Sequence, residues 1–211
     1  MDFKAAIFDM DGTLLDSMRM WDNLSLNYLK RHGVDAPADL SDKLGVLDMR
    51  RAAKYIMENY LPRLTVEDIC RGIDEMLEDF YLHEAVIKPG AKEFLQKLES
   101  ENIPMALLSA TGREHLHTAL RRFEIEKFFN AGIFSTEELE MSKAYPETFL
   151  KMAEMMKVAP EDCAVFEDAP YAARSAVQAG CQLYGVWDLE STAAEVEKCA
   201  KKFIRSWDEL L

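Results

Sequence analysis

From residue 84 onward, short apolar runs alternate with helical periodicity, and this alternation constrains the fold more than any other feature. The runs with the length and composition of buried strands are 103–110, 131–135, 163–168, 181–187 and 201–207. Between them, apolar residues recur at helical spacing, as Ala91, Leu95 and Leu98 do. Strands that alternate with helices build a parallel sheet covered on both faces, so we predict an α/β core that includes an opening strand at residues 4–9.

The stretch between the opening strand and this alternating region has a different pattern. It contains helical spacings, such as that of Met18 and Trp21, and no run that reads as a strand. A helical block inserted after the first strand of an α/β core indicates a separate domain. We therefore predict a core domain formed by residues 1–16 and 84–211 and a helical-bundle cap domain formed by residues 17–83.

The charge of the chain limits what it can bind. Its 38 acidic and 25 basic residues give a formal net charge of −13. A nucleic-acid-binding protein needs a basic face to neutralise phosphates, so we predict no nucleic-acid partner. A small anionic substrate stays compatible with this charge, because a few local lysines or a metal ion can reverse the field inside one cleft.

The sequence also bears on where the chain works. Its first residues lead directly into the opening strand without a basic, cleavable leader, and no uncharged run approaches the ~20 residues that span a bilayer. Its 4 cysteines are scattered and form no CxxC pair, which disfavours a disulfide framework or a zinc site. We predict a cytoplasmic protein with reduced thiols and no membrane partner.

Acidic residues stand where two of the predicted strands end. Asp9 and Asp11 end the opening strand, and Glu167 and Asp168 end the run 163–168. In open α/β sheets, ligands bind at the carboxyl ends of the strands. If these strands are neighbours, the four carboxylates crowd one crevice, and like charges so close require protons or a cation. Because all the donors are oxygens, we predict a Mg²⁺ site.

The pair Asp9 and Asp11 indicates chemistry as well as metal binding. A carboxylate held at a strand end, as we predict for Asp9, can act as a nucleophile. Asp11 can reach the same reaction centre as general acid and base, and Gly12 lets the chain turn there. A plain acidic turn is the alternative. A calcium loop fits poorly, because its twelfth position would be Met20 rather than a glutamate.

Four motifs follow one another along the chain: DMDGTLLDS, LLSATG, SKAYPETF and VFEDAPYAARSAVQAG. In this order they resemble the motifs of the haloacid dehalogenase (HAD) superfamily of phosphotransferases, and the resemblance covers essentially the whole chain. The sequence is most similar to subfamily I, the β-phosphoglucomutase-like and phosphoglycolate-phosphatase-like branch. This resemblance implies a Rossmann-like parallel-sheet core with an inserted helical cap. It also implies Asp9 as a nucleophile that becomes an aspartyl phosphate, and Asp11 as acid/base.

The resemblance implies a role for the other motifs too. Ser109 and Ala110 would hold the phosphoryl group, and Lys143 would neutralise that group and the nucleophile. Glu167 and Asp168 would help to bind a Mg²⁺ ion. The side chain of Asp9 and the backbone carbonyl of Asp11 would bind the same ion. Each residue has a plainer reading: a solvated Lys143, a strand-end cap at Ser109, and helix capping by the acidic pair.

The predicted cap bears on the choice between a phosphatase and a mutase. In the sugar-phosphate mutases of the family a histidine follows the first motif, and Trp21 stands at or near that position here. Those mutases also carry a lysine before the glycine of the cap's substrate loop, where this chain has Leu44. Both differences favour water as the final acceptor. Arg50 or Arg51 can grip a second anionic group of the substrate, although a solvated helix face is equally compatible.

We therefore predict a Mg²⁺-dependent phosphatase that acts on a small phosphorylated metabolite such as a sugar phosphate, phosphoglycolate or a nucleotide-like compound. A β-phosphoglucomutase-like mutase is the alternative. A binding protein that kept the fold without catalysis is a third reading, against which the intact set of Asp9, Asp11, Lys143 and Asp168 argues. The family also leads us to expect a monomer.

Overall fold

The computed structural model describes residues 2–45 and 47–211. Contacts within the chain divide it into two compact units. The first unit joins the chain up to Asp16 with Ala85–Leu211, and the second unit is Ser17–Glu84. The second unit is thus an insertion, since the chain leaves the first unit once and returns to it once.

The first unit alternates strands and helices, whereas the described residues of the second contain helices and no strand. The strands are β1 (Ala5–Phe8), β2 (Leu15–Asp16), β3 (Val86–Ile87), β4 (Met105–Ser109), β5 (Gly132–Ser135), β6 (Cys163–Glu167), β7 (Gln182–Val186) and β8 (Lys202–Ile204). The α-helices are α1 (Met18–Asp22), α2 (Leu24–Arg31), α3 (Leu40–Leu44), α4 (Met49–Asn59), α5 (Val66–Asp79), α6 (Ala91–Ser100), α7 (Arg113–Arg122), α8 (Pro146–Met155), α9 (Pro170–Gln178) and α10 (Glu190–Cys199).

Six strands form the central sheet of the first unit, in the order β5-β4-β1-β6-β7-β8. The pairings are parallel, and their register places Phe8 of β1 beside Leu107 of β4 and Phe166 of β6. The predicted α/β, Rossmann-like core is confirmed. Because β1 lies between β4 and β6, the carboxyl ends of these three strands meet at one edge of the sheet, where ligands bind in open α/β folds.

Both faces of the sheet are buried, which explains why its strands read as continuous apolar runs. On one face Phe8 stacks on Phe166 with ring centroids 4.5 Å apart, and Trp207 packs against both rings. On the other face Ile7 belongs to a buried cluster that includes Ala172 of α9, whose small side chain lets that helix lie close to the strands. The core therefore holds β1 rigidly from both sides.

A two-stranded antiparallel ribbon joins the points where the chain leaves and re-enters the first unit. It pairs Leu15 of β2 with Ile87 of β3. Lys88 follows directly, and its backbone N–H donates to the carbonyl oxygen of Leu14 at 2.8 Å. The sequence does not predict this ribbon, because two-residue strands are too short to show an alternating pattern.

The second unit consists of helices α1 to α5 followed by a π-helical turn at Phe80–Glu84. Helix α5 begins with a capping box, in which Thr65 and Asp68 each accept a backbone N–H from the other. Ile56 of α4 and Ile69 of α5 are fully buried and contribute to the unit's core. Within the described part of the whole chain, no helix has both the length and the apolar character that crossing a membrane requires.

Candidate active site

Three buried carboxylates meet at the edge of the sheet where β1 and β6 end. Asp9 directly follows β1, Glu167 ends β6, and Asp168 comes next. One oxygen from each lies within 4.8 Å of the others. The parallel pairing of β1 with β6 brings these residues together although they are far apart in the sequence.

A buried lysine bridges two of these carboxylates. Lys143, in the loop before α8, is only 3% exposed. Its Nζ lies 2.5 Å from Asp9 Oδ1 and 2.8 Å from Glu167 Oε2. Burial by itself would lower the pKa of Lys143, but the charges of Asp9 and Glu167 outweigh burial and raise that pKa well above its usual range. The ammonium is therefore charged, and the solvated reading of Lys143 is wrong.

One lysine does not balance the negative charge around it. Burial, reinforced by the charges of Glu167 and Asp11 and opposed by Lys143, raises the pKa of Asp9 to about 8. Burial, together with the charges of Glu167 and Asp9, also raises the pKa of Asp168 well above its usual range. A divalent cation would relieve this repulsion, and an all-oxygen donor set is what Mg²⁺ prefers. The residues present therefore fit such an ion.

The acidic pair at the end of β6 does not act as a side-chain helix cap. Glu167 Oε1 accepts the backbone N–H groups of Asp168 and Ala169 at 3.1 and 3.0 Å. The Asp168 carboxylate instead accepts a hydrogen bond from the hydroxyl of Thr13 at 2.8 Å. Helix α9 begins after Ala169, which makes no side-chain cap. The plain capping interpretation of Glu167 and Asp168 is therefore wrong.

Asp11 lies beside the three-carboxylate group without being one of its members. The hydroxyl of Thr111 donates to Asp11 Oδ2 at 2.6 Å. After Asp11 the chain turns at Gly12, whose φ of 81° is the left-handed conformation that glycine adopts without strain. The N–H of Gly12 donates to the carbonyl oxygen of Leu15 at 2.9 Å, which closes the turn.

Ser109 and Ala110 occupy the same edge of the sheet on the other side of β1. Ser109 is the last residue of β4 and is buried, and Ala110 follows it. The Oγ of Ser109 accepts the backbone N–H of Thr111 at 3.2 Å. This contact agrees with the strand-end cap reading and leaves the Ser109 hydroxyl hydrogen for a second partner, so both readings of Ser109 stay open.

The two residues predicted to contact substrate from the cap lie in the second unit. The indole Nε1 of Trp21 donates to the hydroxyl of Tyr81 at 3.2 Å. Arg50 is largely exposed and forms an ion pair with Glu67 at 2.6 Å. The guanidinium of Arg50 thus has a carboxylate partner within its own unit, and the substrate roles of Trp21 and Arg50 stay predictions.

Several polar residues that support the site are not predicted from the sequence. Besides Thr13 and Thr111, they include Lys88, whose Nζ bonds the carbonyl oxygens of Gly12 and Trp187 and lies 2.8 Å from Asp188 Oδ1. The carbonyl contact with Gly12 anchors the turn that follows Asp11. Thr13 was a detectable signal, as a polar residue between the first-motif aspartates and an apolar pair. Lys88 carries no comparable signal, because its partners are distant in the sequence.

Residues 3–180 match the sequence profile of the haloacid dehalogenase-like hydrolases. Over 184 residues the chain is 28% identical to a phosphorylated carbohydrates phosphatase of Thermotoga maritima. The alignment covers 87% of this chain and 85% of the relative. Over 168 residues it is 30% identical to hexitol phosphatase B of Escherichia coli, and this alignment covers 78% of this chain and 75% of the relative.

A solved structure shares the fold of the chain. It is a crystal structure from Thermotoga maritima with the provisional name of β-phosphoglucomutase, and it matches with a TM-score of 0.82 at 27% sequence identity. The match covers 99% of this chain and 96% of the other.

Proposed function

Because the chain belongs to the haloacid dehalogenase-like hydrolase family and is a phosphoric monoester hydrolase, we propose that it is a Mg²⁺-dependent phosphatase of small phosphorylated metabolites. The family resemblance of the four sequence motifs is confirmed. Relatives named for phosphorylated carbohydrates and for hexitols support a sugar or sugar-alcohol phosphate as substrate. The observation that carries the proposal is the buried Lys143 ammonium held between Asp9 and Glu167 at the end of β1.

In the first half of the proposed reaction, a carboxylate oxygen of Asp9 attacks phosphorus. The bond from phosphorus to the leaving oxygen breaks, and Asp11 donates a proton to that oxygen, which departs as an alcohol. Lys143 offsets the negative charge of the nucleophile and of the phosphoryl oxygens. The Ser109 hydroxyl and the backbone N–H of Ala110 donate to those oxygens and hold them in line.

In the second half, Asp11 takes a proton from water while the water oxygen attacks phosphorus of the aspartyl phosphate. The Asp9–phosphorus bond breaks, so inorganic phosphate leaves and the Asp9 carboxylate is restored. Asp9, Glu167 and Asp168 with the backbone carbonyl of Asp11 would hold Mg²⁺. When bound, the ion supplies positive charge that offsets the carboxylates and the phosphoryl group.

We propose that the second unit acts as a cap that excludes bulk water, with Trp21 and Arg50 among the groups that face substrate. A sugar-phosphate mutase is the second candidate, favoured by the structural match to the protein provisionally named β-phosphoglucomutase. Trp21, where the family's mutases carry histidine, favours the phosphatase. A monomeric state and a cytoplasmic location stay predictions from the sequence.

The test is to incubate the protein with Mg²⁺ and a panel of sugar phosphates, sugar-alcohol phosphates, phosphoglycolate and nucleotides, and to measure both free phosphate and isomerised product. We expect phosphate release from a sugar or sugar-alcohol phosphate. Asp9→Asn should lower it by about 10³-fold or more, the scale of losing a nucleophile. The matched control is Asp162→Asn, at an acid that is paired on the surface with Lys4.

The outcomes separate the candidate functions. Isomerised sugar phosphate that is stimulated by a bisphosphate would replace the phosphatase with the mutase. Turnover that survives Asp9→Asn would contradict the proposed nucleophile. Absence of any turnover across the panel would contradict the proposed class of substrate.

A further inference from the structure

The side chain of Thr111 connects two parts of the proposed site. Thr111 lies two residues beyond the carboxyl end of β4 and is buried. Its hydroxyl donates to Asp11 Oδ2 at 2.6 Å, and its backbone N–H donates to Ser109 Oγ at 3.2 Å. One residue thus contacts both the proposed acid/base and the proposed phosphoryl-binding hydroxyl.

A hydroxyl that donates to a carboxylate at this distance makes one of the stronger hydrogen bonds found in proteins. Asp11 is not one of the three carboxylates that meet beside Lys143. Thr111 holds one oxygen of Asp11 from a strand end that the sheet fixes beside β1. The Asp11 side chain is thereby restrained by a residue that the sheet holds in place.

We propose that Thr111 is a positioning residue that aims the Asp11 carboxyl group for proton transfer to the leaving oxygen. The Thr111 hydroxyl donates to Oδ2 and so fixes the orientation of the Asp11 carboxyl group. The N–H of Thr111 similarly occupies a lone pair of Ser109 Oγ, which directs the Ser109 hydroxyl hydrogen elsewhere, towards a phosphoryl oxygen. The proposal rests on the role of Asp11 as acid/base given above.

A purely structural role is the competing explanation, since buried hydroxyl groups are nearly always hydrogen-bonded. The two explanations differ in what they predict for different leaving groups. A sugar alkoxide must be protonated as it leaves, whereas p-nitrophenolate is stable without a proton. A residue that aims the acid therefore matters for the first kind of substrate and little for the second. A residue that only stabilises the fold affects both equally.

The experiment compares kcat/KM for glucose 6-phosphate and p-nitrophenyl phosphate, because this constant reports the step in which the leaving group departs. With Thr111→Val we expect a loss of about 10- to 100-fold for the sugar phosphate, the scale of a hydrogen bond to a charged group. For p-nitrophenyl phosphate we expect a loss of at most about twofold. Thr111→Ser, which keeps the hydroxyl, should restore the sugar phosphate activity.

Thr13→Val is the matched control, because it deletes the equivalent hydroxyl bond to Asp168 at 2.8 Å. Asp168 is a proposed metal ligand and not the acid, so this change should affect both substrates by the same factor. An equal loss on both substrates for Thr111→Val would overturn the proposal. The ratio between substrates does not depend on how much of a variant is folded, and Thr111→Ala should give the same bias if the valine variant is insoluble.

Asp11→Asn separates failure of this inference from failure of the proposed function. If Asp11 is the acid, Asp11→Asn should show the same bias against glucose 6-phosphate, and a larger one. An unbiased Asp11→Asn would contradict the acid/base role itself. A biased Asp11→Asn with an unbiased Thr111→Val would contradict the role of Thr111 alone.

Discussion

The two units of the molecule hold ion pairs of similar length in very different surroundings. In the first unit Lys143 and its partners Asp9 and Glu167 are almost completely buried, at distances of 2.5 and 2.8 Å. In the second unit Arg50 and Glu67 are 2.6 Å apart, yet their side chains are 70% and 65% exposed. Distance therefore does not distinguish a site from a solvated surface. The solvent around the pair does.

The difference follows from the cost of removing charges from water. A buried pair loses several kcal/mol of hydration per ion, and its mutual attraction seldom returns more than that. An exposed pair loses little and gains little. A buried charge that does not stabilise the fold therefore indicates a candidate functional site. By this criterion we propose the carboxyl ends of β1 and β6 as the functional region of the first unit.

Lys143→Met should produce the largest change in stability. It leaves the buried Glu167 carboxylate without its cation, which should lower the free energy of unfolding at neutral pH by about 3–5 kcal/mol. Chemical denaturation measures this. Lys4→Met is the control, because Lys4 pairs with Asp162 at the same 2.8 Å but on the surface. Equal effects of the two substitutions would remove burial as the distinguishing feature.

Mg²⁺ should stabilise the protein, and more strongly at higher pH. Without metal, burial and neighbouring charges raise the pKa of Asp9 to about 8, above the ~3.9 of an unfolded aspartate. The folded state then holds an extra proton between these values, so metal-free stability falls as pH rises through that window. Metal binding releases this proton. The stabilisation by Mg²⁺, about 2.7 kcal/mol at a hundredfold excess over Kd, therefore increases as the pH rises.

Thermal unfolding with and without Mg²⁺, at about pH 5.5 and about pH 8, measures this effect. Asp9→Asn should weaken the pH dependence of the stability of the metal-free protein, because it removes one of the two buried carboxyl groups whose pKa is raised. A Mg²⁺ effect that is absent, or that is larger at the lower pH, would contradict the buried-carboxylate site.

Thr65→Ala should lower the free energy of unfolding by less, because it removes only the N-terminal capping interaction of helix α5. The side chain of Thr65 accepts a hydrogen bond from the backbone N–H of Asp68, and the side chain of Asp68 accepts one from the backbone N–H of Thr65. Loss of such an N-cap costs about 1 kcal/mol of unfolding free energy. Urea denaturation measures the loss, and Thr65→Ser should recover most of it. A loss as large as that of Lys143→Met would show that the second unit depends on polar contacts as the site does.

Arg50→Met should have the smallest effect on stability, at most about 1 kcal/mol, because its ion pair with Glu67 is exposed. The same variant tests the prediction that Arg50 contacts substrate. A raised KM at unchanged stability would support that role, and an unchanged KM would contradict it. Arg71→Met, at another exposed pair in the same unit, is the matched control.

The fold and the meeting of the charged residues were accessible from the sequence for one physical reason. Strands buried on both faces must be apolar, so the runs around Phe8 and Phe166 stand out, and a parallel sheet then brings their carboxyl ends to one edge. The positions of Asp9 and Asp168 follow from that topology. The burial of Lys143 does not, because a lysine in a loop carries no sign of the environment into which the loop folds.

What the sequence did not reveal depends on side-chain geometry and long-range contacts. Thr111 and Asp11 are 100 positions apart, and no periodicity indicates that one hydroxyl meets one carboxylate. Lys88 reaches Trp187 and Asp188 across a similar distance along the chain. These contacts depend on rotamers that are chosen only once the sheet has formed, so a linear pattern cannot specify them.

The central claim is that Asp9 carries the phosphoryl group during turnover. The most direct measurement is to quench the enzyme in acid during turnover of a labelled phosphomonoester and to map the label by peptide mass spectrometry. We predict phosphate on the peptide that contains Asp9, released by hydroxylamine as an acyl phosphate is, and absent in Asp9→Asn. Turnover without any labelled protein, or label on a different residue, would contradict the mechanism.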